Sequence, residues 1–205
     1  HTQAQFNAPI YGLFAMPDGV GCAVHAGAKL YFRAPDGTQT ELCADMNEAF
    51  SQSFTMKGVL YLMDGKTYRA VRKSSKNTAW EAVSVSGTAY VPTTTISAAP
   101  TGGGTSYEAV NLLTPKRINT FIGDGTATQF KVDATDLDET AVTAEVNGSA
   151  VTVSVVNRST GLVTLAAAPA NGNGLANVSI AFAKTVSGHA DKINKCRFAG
   201  LYGGK

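Results

Sequence analysis

The stretch HAGAKLYF (residues 25–32) decides the fold, because its pattern returns further along the chain. It recurs about thirty residues later as TMKGVLYL (residues 55–62) and again near the end as CRFAGLYG (residues 196–203). Glycine turns that lead into Leu-Tyr strands at a period of a few tens of residues are typical of stacked or radial β-repeats. The sequence therefore predicts an all-β fold built from meander or propeller-like hairpin repeats.

The spacing of the three copies predicts an interruption of the repeats. About 140 residues separate the second copy from the third. We expect propeller-like hairpins over residues 1–90, an extended connector rich in Pro and Gly over 91–116, and an inserted β-sandwich over 117–184. Residues 185–205 are expected to link back and begin the next repeat. A closed propeller needs about four to eight blades, so we expect none from this chain alone.

The segment 117–184 has the clearest strand pattern in the chain. Asn147-Gly148 is the preferred dipeptide of a two-residue hairpin, and Val151, Val153 and Val155 alternate strictly with polar residues. About six short strands at this spacing favour a small sandwich or barrel. Its predicted core consists of Val142, Ala144, Val146, Val151, Val153, Val155, Val163, Leu165, Val178, Ile180 and Phe182.

Short turn motifs also predict hairpins outside the segment 117–184. The sequences Ala34-Pro-Asp-Gly37 and Asp64-Gly65 predict hairpin turns, and helix signals are almost absent. Met46–Phe50 is the one short helix that we predict. Residues 107–113 are expected to form a strand where the connector meets the insert.

Composition excludes several functional classes. Charged residues are 16% of the 205, and the formal net charge is +2, too small to favour nucleic acid or an anionic membrane as partner. Three cysteines without a Cys-x-x-Cys pair argue against a disulfide framework or a zinc site and favour buried free thiols. No apolar run approaches the ~18 residues of a membrane span.

Two sets of phrases resemble known virion proteins. The segments YVPTTTI (90–96), NLLTPKRIN (111–119) and ADKINKCRF (190–198) are similar to a family of structural proteins of tailed bacteriophages and prophages. The motifs Gly123-Asp-Gly-Thr126, Val146-Asn-Gly148 and Ala168-Pro-Ala-Asn-Gly172 resemble a small β-domain of phage tail and fibre proteins. The resemblance implies a tail or head-to-tail protein with propeller-like repeats that display the insert.

One carboxylate cluster is a candidate for metal or acid–base chemistry. Asp133, Asp136, Asp138 and Glu139 supply oxygen ligands of the kind that calcium prefers, yet the Gly and the distal Glu of an EF-hand loop are missing. Paired carboxylates could also serve glycoside hydrolysis, but no partner across a cleft is indicated. We interpret the cluster as a solvated turn.

The remaining candidates also favour structural interpretations. The histidines His1, His25 and His189 lack a local nucleophile motif, and Gly102-Gly-Gly104 lacks the Lys-Ser/Thr of a phosphate loop. The basic run from Arg69 to Lys76 is expected to be a solvated strand end. Four tyrosines are expected to belong to the repeat core or its rim: Tyr31, Tyr61, Tyr68 and Tyr202.

The sequence thus predicts a non-enzymatic structural component of a virion, assembled in the bacterial cytoplasm. Its expected partners are other virion proteins and further copies of itself, without catalytic residues, cofactor, metal or membrane. The alternative is an adhesin-like module whose inserted β-domain recognises a host glycan or protein. An aromatic cluster on loops of the insert would favour that alternative, but Phe121, Phe130 and Phe182 all fall on predicted strands.

Overall fold

The structure, a computed structural model, describes residues 6–76 and 78–200. The chain divides into two compact units. Unit 1 is formed by the residues up to Thr88 together with the segment after His189, and unit 2 by Ala89–His189. Almost all regular structure in both units is β-strand, as the sequence predicts.

Unit 1 begins with a four-stranded antiparallel meander in which consecutive strands are neighbours. Its strands are β1 (Ile10–Ala15), β2 (Cys22–Ala26), β3 (Lys29–Arg33) and β4 (Gln39–Cys43). Local turn chemistry makes the connections. At the β3–β4 turn, Gly37 has a φ of +92° and donates to the Ala34 carbonyl, while Asp36 Oδ1 accepts the Thr38 amide.

A second antiparallel meander of the same design follows. Its strands are β5 (Gln52–Met56), β6 (Val59–Met63), β7 (Tyr68–Lys73) and β8 (Trp80–Ser84), followed by the short helix α1 (Val85–Thr88). Lys57 and Gly58 both take positive φ at the β5–β6 turn. Asp64 Oδ1 accepts the amides of Lys66 and Thr67 at the next turn, which explains why Asp-Gly stands there.

The recurring phrase occupies a glycine hairpin in each meander, but at different strand positions. The first copy covers the β2–β3 turn, and the second covers the β5–β6 turn. Its leucine is a core residue both times, with Leu30 and Leu60 0% and 1% exposed. One apolar core joins the two sheets: Met16, Ala23, Leu30, Met46, Leu60, Leu62 and Val71. The described residues include two such meanders and no closed ring.

The third copy of the phrase falls after a second short helix, α2 (His189–Asn194). Its residues 196–200 form no strand, and residues 201–203 lie outside the described part of the chain. Arg197 packs against the β6–β7 turn, where a Cβ added to Gly65 would lie 2.8 Å from the Arg197 Nε.

The short helix predicted for Met46–Phe50 is wrong. This segment is irregular because its side chains and amides are used by unit 1. Met46 is 2% exposed in the core, and Asn47 donates its amide and its side-chain NH2 to Asp64. These bonds to a distant residue replace the intrahelical bonds that a helix would need.

Unit 2 contains a six-stranded sheet and a three-stranded sheet. The larger has the order β10-β9-β11-β17-β13-β14 and the smaller has the order β12-β16-β15. Their strands are β9 (Thr93–Ala98), β10 (Thr105–Ser106), β11 (Lys116–Phe121), β12 (Gln129–Lys131), β13 (Thr143–Val146), β14 (Ser149–Val151), β15 (Val153–Asn157), β16 (Leu162–Leu165) and β17 (Val178–Ala183).

The predicted connector 91–116 is not a separate linker. It contributes β9, which pairs in parallel with β11, and β10, which pairs with β9. Residues 107–113, predicted to be a strand, form none. Ala98 at the end of β9 is 1% exposed and packs in the core of unit 2. Unit 2 therefore includes residues well before position 117.

The core of unit 2 lies between its two sheets and contains most of the predicted side chains. Phe121 of the larger sheet meets Phe130 of the smaller one edge to face, with ring centroids 5.3 Å apart. The predicted core residues Ala144, Val163, Leu165, Val178, Ile180 and Phe182 are buried, and Val142, Val146, Val151 and Val153 are partly buried against them.

Val155 is the exception among the predicted core residues, since it is 58% exposed. The chain leaves the larger sheet after Val151 and enters the smaller one at Val153. The pairing of β15 with β16 then shifts between Val153 and Val155, so Val156 packs on the core instead. A bulge of this kind reverses the alternation that the sequence predicts.

Neither helix in the described part of the chain has the length or apolar character of a membrane span.

Candidate binding groove in unit 2

Unit 2 contains a groove of about 710 Å³. We call it the polar groove and define it by Arg117, Asn119, Lys131, Asp133, Lys184 and the turn Thr101–Gly103. Its volume lies within the ~300–1,000 Å³ usual for small-molecule sites. Its lining combines charged and polar side chains with apolar ones such as Val132, Ala134 and Val186.

Strand β11 carries the transition from core to groove. Arg117, Asn119 and Phe121 alternate with more exposed residues and are the buried positions of this strand. Phe121 belongs to the apolar core, whereas Arg117 and Asn119 line the groove. The sheet therefore continues past the apolar core with polar side chains on the same face.

Asp133 is the centre of a hydrogen-bond network at the groove. Its Oδ2 accepts the hydroxyls of Thr94 and Thr95 at 2.6 and 2.7 Å. Its amide donates to Asn119 Oδ1 at 2.8 Å, and Asn119 Nδ2 donates to Thr94 Oγ1 at 2.9 Å. Two other strands, β9 and β11, thus fix the position of one carboxylate.

Arg117 is buried beside this network with part of its hydrogen-bonding capacity unused. Its side chain is 8% exposed, and its guanidinium lies 5.8 Å from the centre of the Phe182 ring. One terminal nitrogen donates to the Lys184 carbonyl at 3.3 Å, and the other is 3.9 Å from Asp133 Oδ1. The buried Nε has no hydrogen-bond partner.

Two lysines add positive charge to the groove. The Lys131 ammonium donates to the Thr160 carbonyl, and the Lys184 ammonium donates to the Asp136 carbonyl at 2.8 Å. A carbonyl carries no net charge, so neither of these contacts neutralises the ammonium group. With Arg117 and one carboxylate, Asp133, the side chains lining the groove carry a net charge of about +2.

The structure separates the predicted carboxylate cluster. Asp133 faces the threonines of β9, whereas Asp138 accepts the amide and hydroxyl of Thr185 at 2.9 and 2.7 Å. Glu139 pairs with Arg158 at 2.9 Å. Among the residues that the structure describes, no three acidic, His or Cys side chains are grouped in a way that could hold a metal ion.

Of the three predicted histidine candidates, His25 lies in a buried polar network of unit 1. Its Nδ1 is 3.0 Å from Ser51 Oγ, and His25, Ser51 and Asp64 are all at most 1% exposed. Asp64 bonds to Asn47, Lys66 and Thr67 instead of to the imidazole. This arrangement is closed to substrate and positions the loops of unit 1. His189 begins α2, and His1 lies outside the described residues.

Burial and hydrogen bonds shift the pKa values of the two titratable groups in this network, His25 and Asp64. Desolvation lowers the pKa of His25, partly offset by the nearby Asp64 charge. For Asp64, desolvation raises the pKa, but the amides of Asn47, Thr67 and Lys66 outweigh it, so that its pKa lies below the usual 3.8.

The other predicted elements take structural positions. Gly102, Gly103 and Gly104 all have positive φ in the turn between β9 and β10. In the basic run, Arg69 pairs with Asp45, Arg72 with Glu81 and Lys73 with Asp18. Tyr61 lies between Phe54 and Tyr68, with ring centroids 4.9 and 6.1 Å away, Tyr31 contacts Phe6, and Tyr202 is outside the described residues. The three cysteines, Cys22, Cys43 and Cys196, are free thiols and partly buried.

Unit 2 also exposes two tyrosines that were not predicted as functional residues. Tyr90 and Tyr107 are 68% and 65% exposed. The Tyr90 hydroxyl donates to Glu108 at 3.0 Å; that bond is the main cause of its raised pKa, to which nearby Tyr107 also contributes. Tyr90 directly precedes the predicted connector 91–116 and Tyr107 lies within it, so their spacing gave no signal of a shared surface.

Four residues of the groove and its hydrogen-bond network were also not predicted as functional: Arg117, Asn119, Thr94 and Thr95.

Comparison with protein-family models, with curated protein sequences and with solved structures finds no match to this chain.

Proposed function

We propose that this chain is a non-enzymatic structural component of a phage or prophage particle, in its tail or head-to-tail region. It acts by protein–protein assembly with other virion proteins and with copies of itself. The resemblance of three segments of the sequence to virion proteins supports the assignment to a phage or prophage particle. The repeated antiparallel meanders of unit 1 supply the kind of rigid platform that such a role needs.

The observation that carries the assembly role is the apolar edge of the first meander. Ile10 and Leu13 on edge strand β1 are 58% and 67% exposed. Phe50 is 69% exposed, and the following residue, Ser51, donates its amide to the Tyr11 carbonyl of β1. Exposed apolar side chains on an edge strand favour pairing with another chain. We call these three side chains the β1 edge patch.

The particle assignment is tested by mass spectrometry of purified particles from the induced source bacterium. Antibodies against residues 89–189 then locate unit 2 in the electron microscope. We expect peptides in stoichiometric amount and label at the tail or neck. Absence from particles, with the protein free or on the cell surface, would overturn the proposal.

The assembly surface is tested by Leu13→Glu, with Val155→Glu as its matched control. Both replace an exposed apolar strand residue with a charge, but Val155 lies in unit 2, far from β1 in sequence. We expect Leu13→Glu to reduce incorporation into particles at least about tenfold, since a charge in a desolvated contact costs several kcal/mol. Equal incorporation of the two variants, both folded, would exclude the β1 edge patch.

The exposed tyrosine pair favours a second candidate, an adhesin-like module that binds a host glycan or protein through unit 2. Tyrosines with a fixed orientation and an exposed ring are common in binding surfaces. The test is binding of the full chain to a glycan array and to host cells. We expect Tyr90→Ala with Tyr107→Ala to abolish binding, whereas Phe198→Ala, an 80% exposed aromatic of unit 1, should not. Binding that survives the double substitution would reject this surface.

A further inference from the structure

We propose that the polar groove of unit 2 binds a carboxylate-bearing sugar of the uronic-acid type. The inference goes beyond the assembly role, because a ligand site in unit 2 is compatible with any position in a particle. It rests on one buried cation with unused donor capacity, on a fixed carboxylate beside it, and on the size of the groove.

The guanidinium of Arg117 points to an anionic ligand. Its side chain is 8% exposed, and its Nη1 nitrogen is 3.9 Å from Asp133 Oδ1, too far for a hydrogen bond. The Nε atom is fully enclosed, so a ligand would meet the terminal nitrogens instead. A carboxylate accepts from two guanidinium nitrogens in a planar, charge-assisted pair.

The other groups select a ligand that is more than an anion. Asp133 uses Oδ2 for the two threonine hydroxyls, while its Oδ1 has only the 3.9 Å contact with Arg117. Oδ1 can therefore accept a hydroxyl from a ligand but would repel phosphate or a second carboxylate. A ligand with one carboxylate and neighbouring hydroxyl groups satisfies both Arg117 and Asp133.

Size and charge fit the same ligand class. A groove of about 710 Å³ is far larger than a simple anion needs and accommodates a sugar residue. Lys131 and Lys184 also line the groove, and the carbonyls that their ammonium groups contact do not cancel their positive charge. Gly102 lies close to the Lys131 stem, where a Cβ would be 3.1 Å from the Lys131 Cγ, and Gly103 has open space around it.

The test is titration of the full chain with four probes: D-glucuronate, D-glucose, acetate and inorganic phosphate. Binding is measured by calorimetry and by amide shifts of Gly102 and Gly103 in NMR spectra. We expect saturable binding of glucuronate, with glucose, acetate and phosphate each at least about tenfold weaker. Failure of glucuronate to bind, or equal binding of acetate or phosphate, would overturn the proposal.

Variants locate the site and exclude general charge attraction. Arg117→Lys keeps the charge but removes the planar guanidinium with its terminal donors, and we expect at least about a tenfold loss of glucuronate affinity. Lys184→Gln provides a second variant should Arg117→Lys fail to fold, with an expected loss of about threefold to tenfold. Lys116→Gln, an exposed cation on the same strand that does not line the groove, should bind as the unmodified chain does. Equal losses in Lys116→Gln and Lys184→Gln would show nonspecific attraction and overturn the site.

The particle analysis and the ligand titration test the two proposals independently. If the chain binds glucuronate but is absent from particles, the ligand site is supported and the virion role is rejected. If the chain is incorporated into particles but does not bind glucuronate, the virion role is supported and the ligand site is rejected.

Discussion

At the scale of single residues, both units contain polar side chains whose burial is compensated by partners far away in sequence. Asp133 is held by Thr94 and Thr95, 39 and 38 residues earlier, and Asp64 by Asn47, 17 residues earlier. Asp64 is fully buried and the Asp133 side chain is 23% exposed. A carboxylate withdrawn from water requires such donors, because an unsatisfied buried charge costs several kcal/mol. These networks fix loops that strand pairing alone would leave free.

The buried imidazole of His25 makes unit 1 sensitive to acid. Its pKa is lowered by desolvation, so the unfolded chain binds a proton near pH 6.5 while the folded chain does so only at lower pH. The stability that this group contributes is therefore present above about pH 6.5 and is lost as the pH falls below it. We expect the melting temperature of unit 1 to fall between pH 7.5 and pH 5, followed by fluorescence of Trp80, the single tryptophan.

Two substitutions distinguish the effect of His25 on this pH dependence from the effects of other titratable groups. His25→Gln keeps a group able to bond Ser51 and removes the titration, so its melting temperature should vary much less over that range. His189→Gln should retain the full decrease. A decrease of equal size in His25→Gln would assign the acid sensitivity to other groups. The stability that Asp64 contributes is present above about pH 4 and is lost only at lower pH, because its pKa is lowered in the folded chain. Asp64 therefore does not account for a decrease between pH 7.5 and pH 5.

Little of the groove could be predicted at this scale. Asp133 was noticed as one of a run of carboxylates, but its partners Thr94 and Asn119 lie on other strands. Arg117 follows a lysine and gave no signal, since its burial arises from the pairing of β11 with β17. Sequence spacing reports neighbours along the chain, whereas these contacts depend on sheet topology.

At the scale of strands and turns, the sequence predicts well wherever the determinant is local. Asn147 and Gly148 take φ of +50° and +77° and join β13 to β14, which confirms the predicted hairpin. Strand β9 was missed, because its partner β11 lies about twenty residues away and the surrounding Pro and Gly suggested a linker. Val155 was misassigned by a bulge that no alternation pattern reveals.

The glycine of the repeated phrase is required for its backbone conformation, and a matched pair of substitutions tests this. Gly58 has a φ of +74° and open space around it, whereas Gly87 has open space and no positive φ. Gly58→Ala should therefore lower the unfolding free energy of unit 1 by about 1–2 kcal/mol. Gly87→Ala, in helix α1, should leave it unchanged or raise it by up to about 1 kcal/mol, because Ala favours the helical conformation over Gly. Denaturant titration followed by Trp80 fluorescence measures both, and equal effects would contradict the role given to the turn.

At the scale of the whole molecule, composition and repeat spacing indicated an all-β chain with an interruption, and the structure is all-β. The boundaries of the interruption were harder to place. The insert was predicted over 117–184, whereas the compact unit spans Ala89–His189. The difference arises from β9 and β10, whose pairing to β11 makes the earlier segment part of the same sheet.

The central claim is that unit 2 is a self-contained β-sandwich whose sheet and groove both require β9. Scanning calorimetry of residues 89–189 and of residues 117–184 tests it most directly. We predict one cooperative transition for 89–189, with equal calorimetric and van't Hoff enthalpies near the ~60–80 kcal/mol of a domain this size. The shorter segment loses Ala98 from the core and Thr94 and Thr95 from Asp133, so it should melt at a markedly lower temperature or without a cooperative transition. Equal melting temperatures for the two segments, or no cooperative transition for 89–189, would contradict the account.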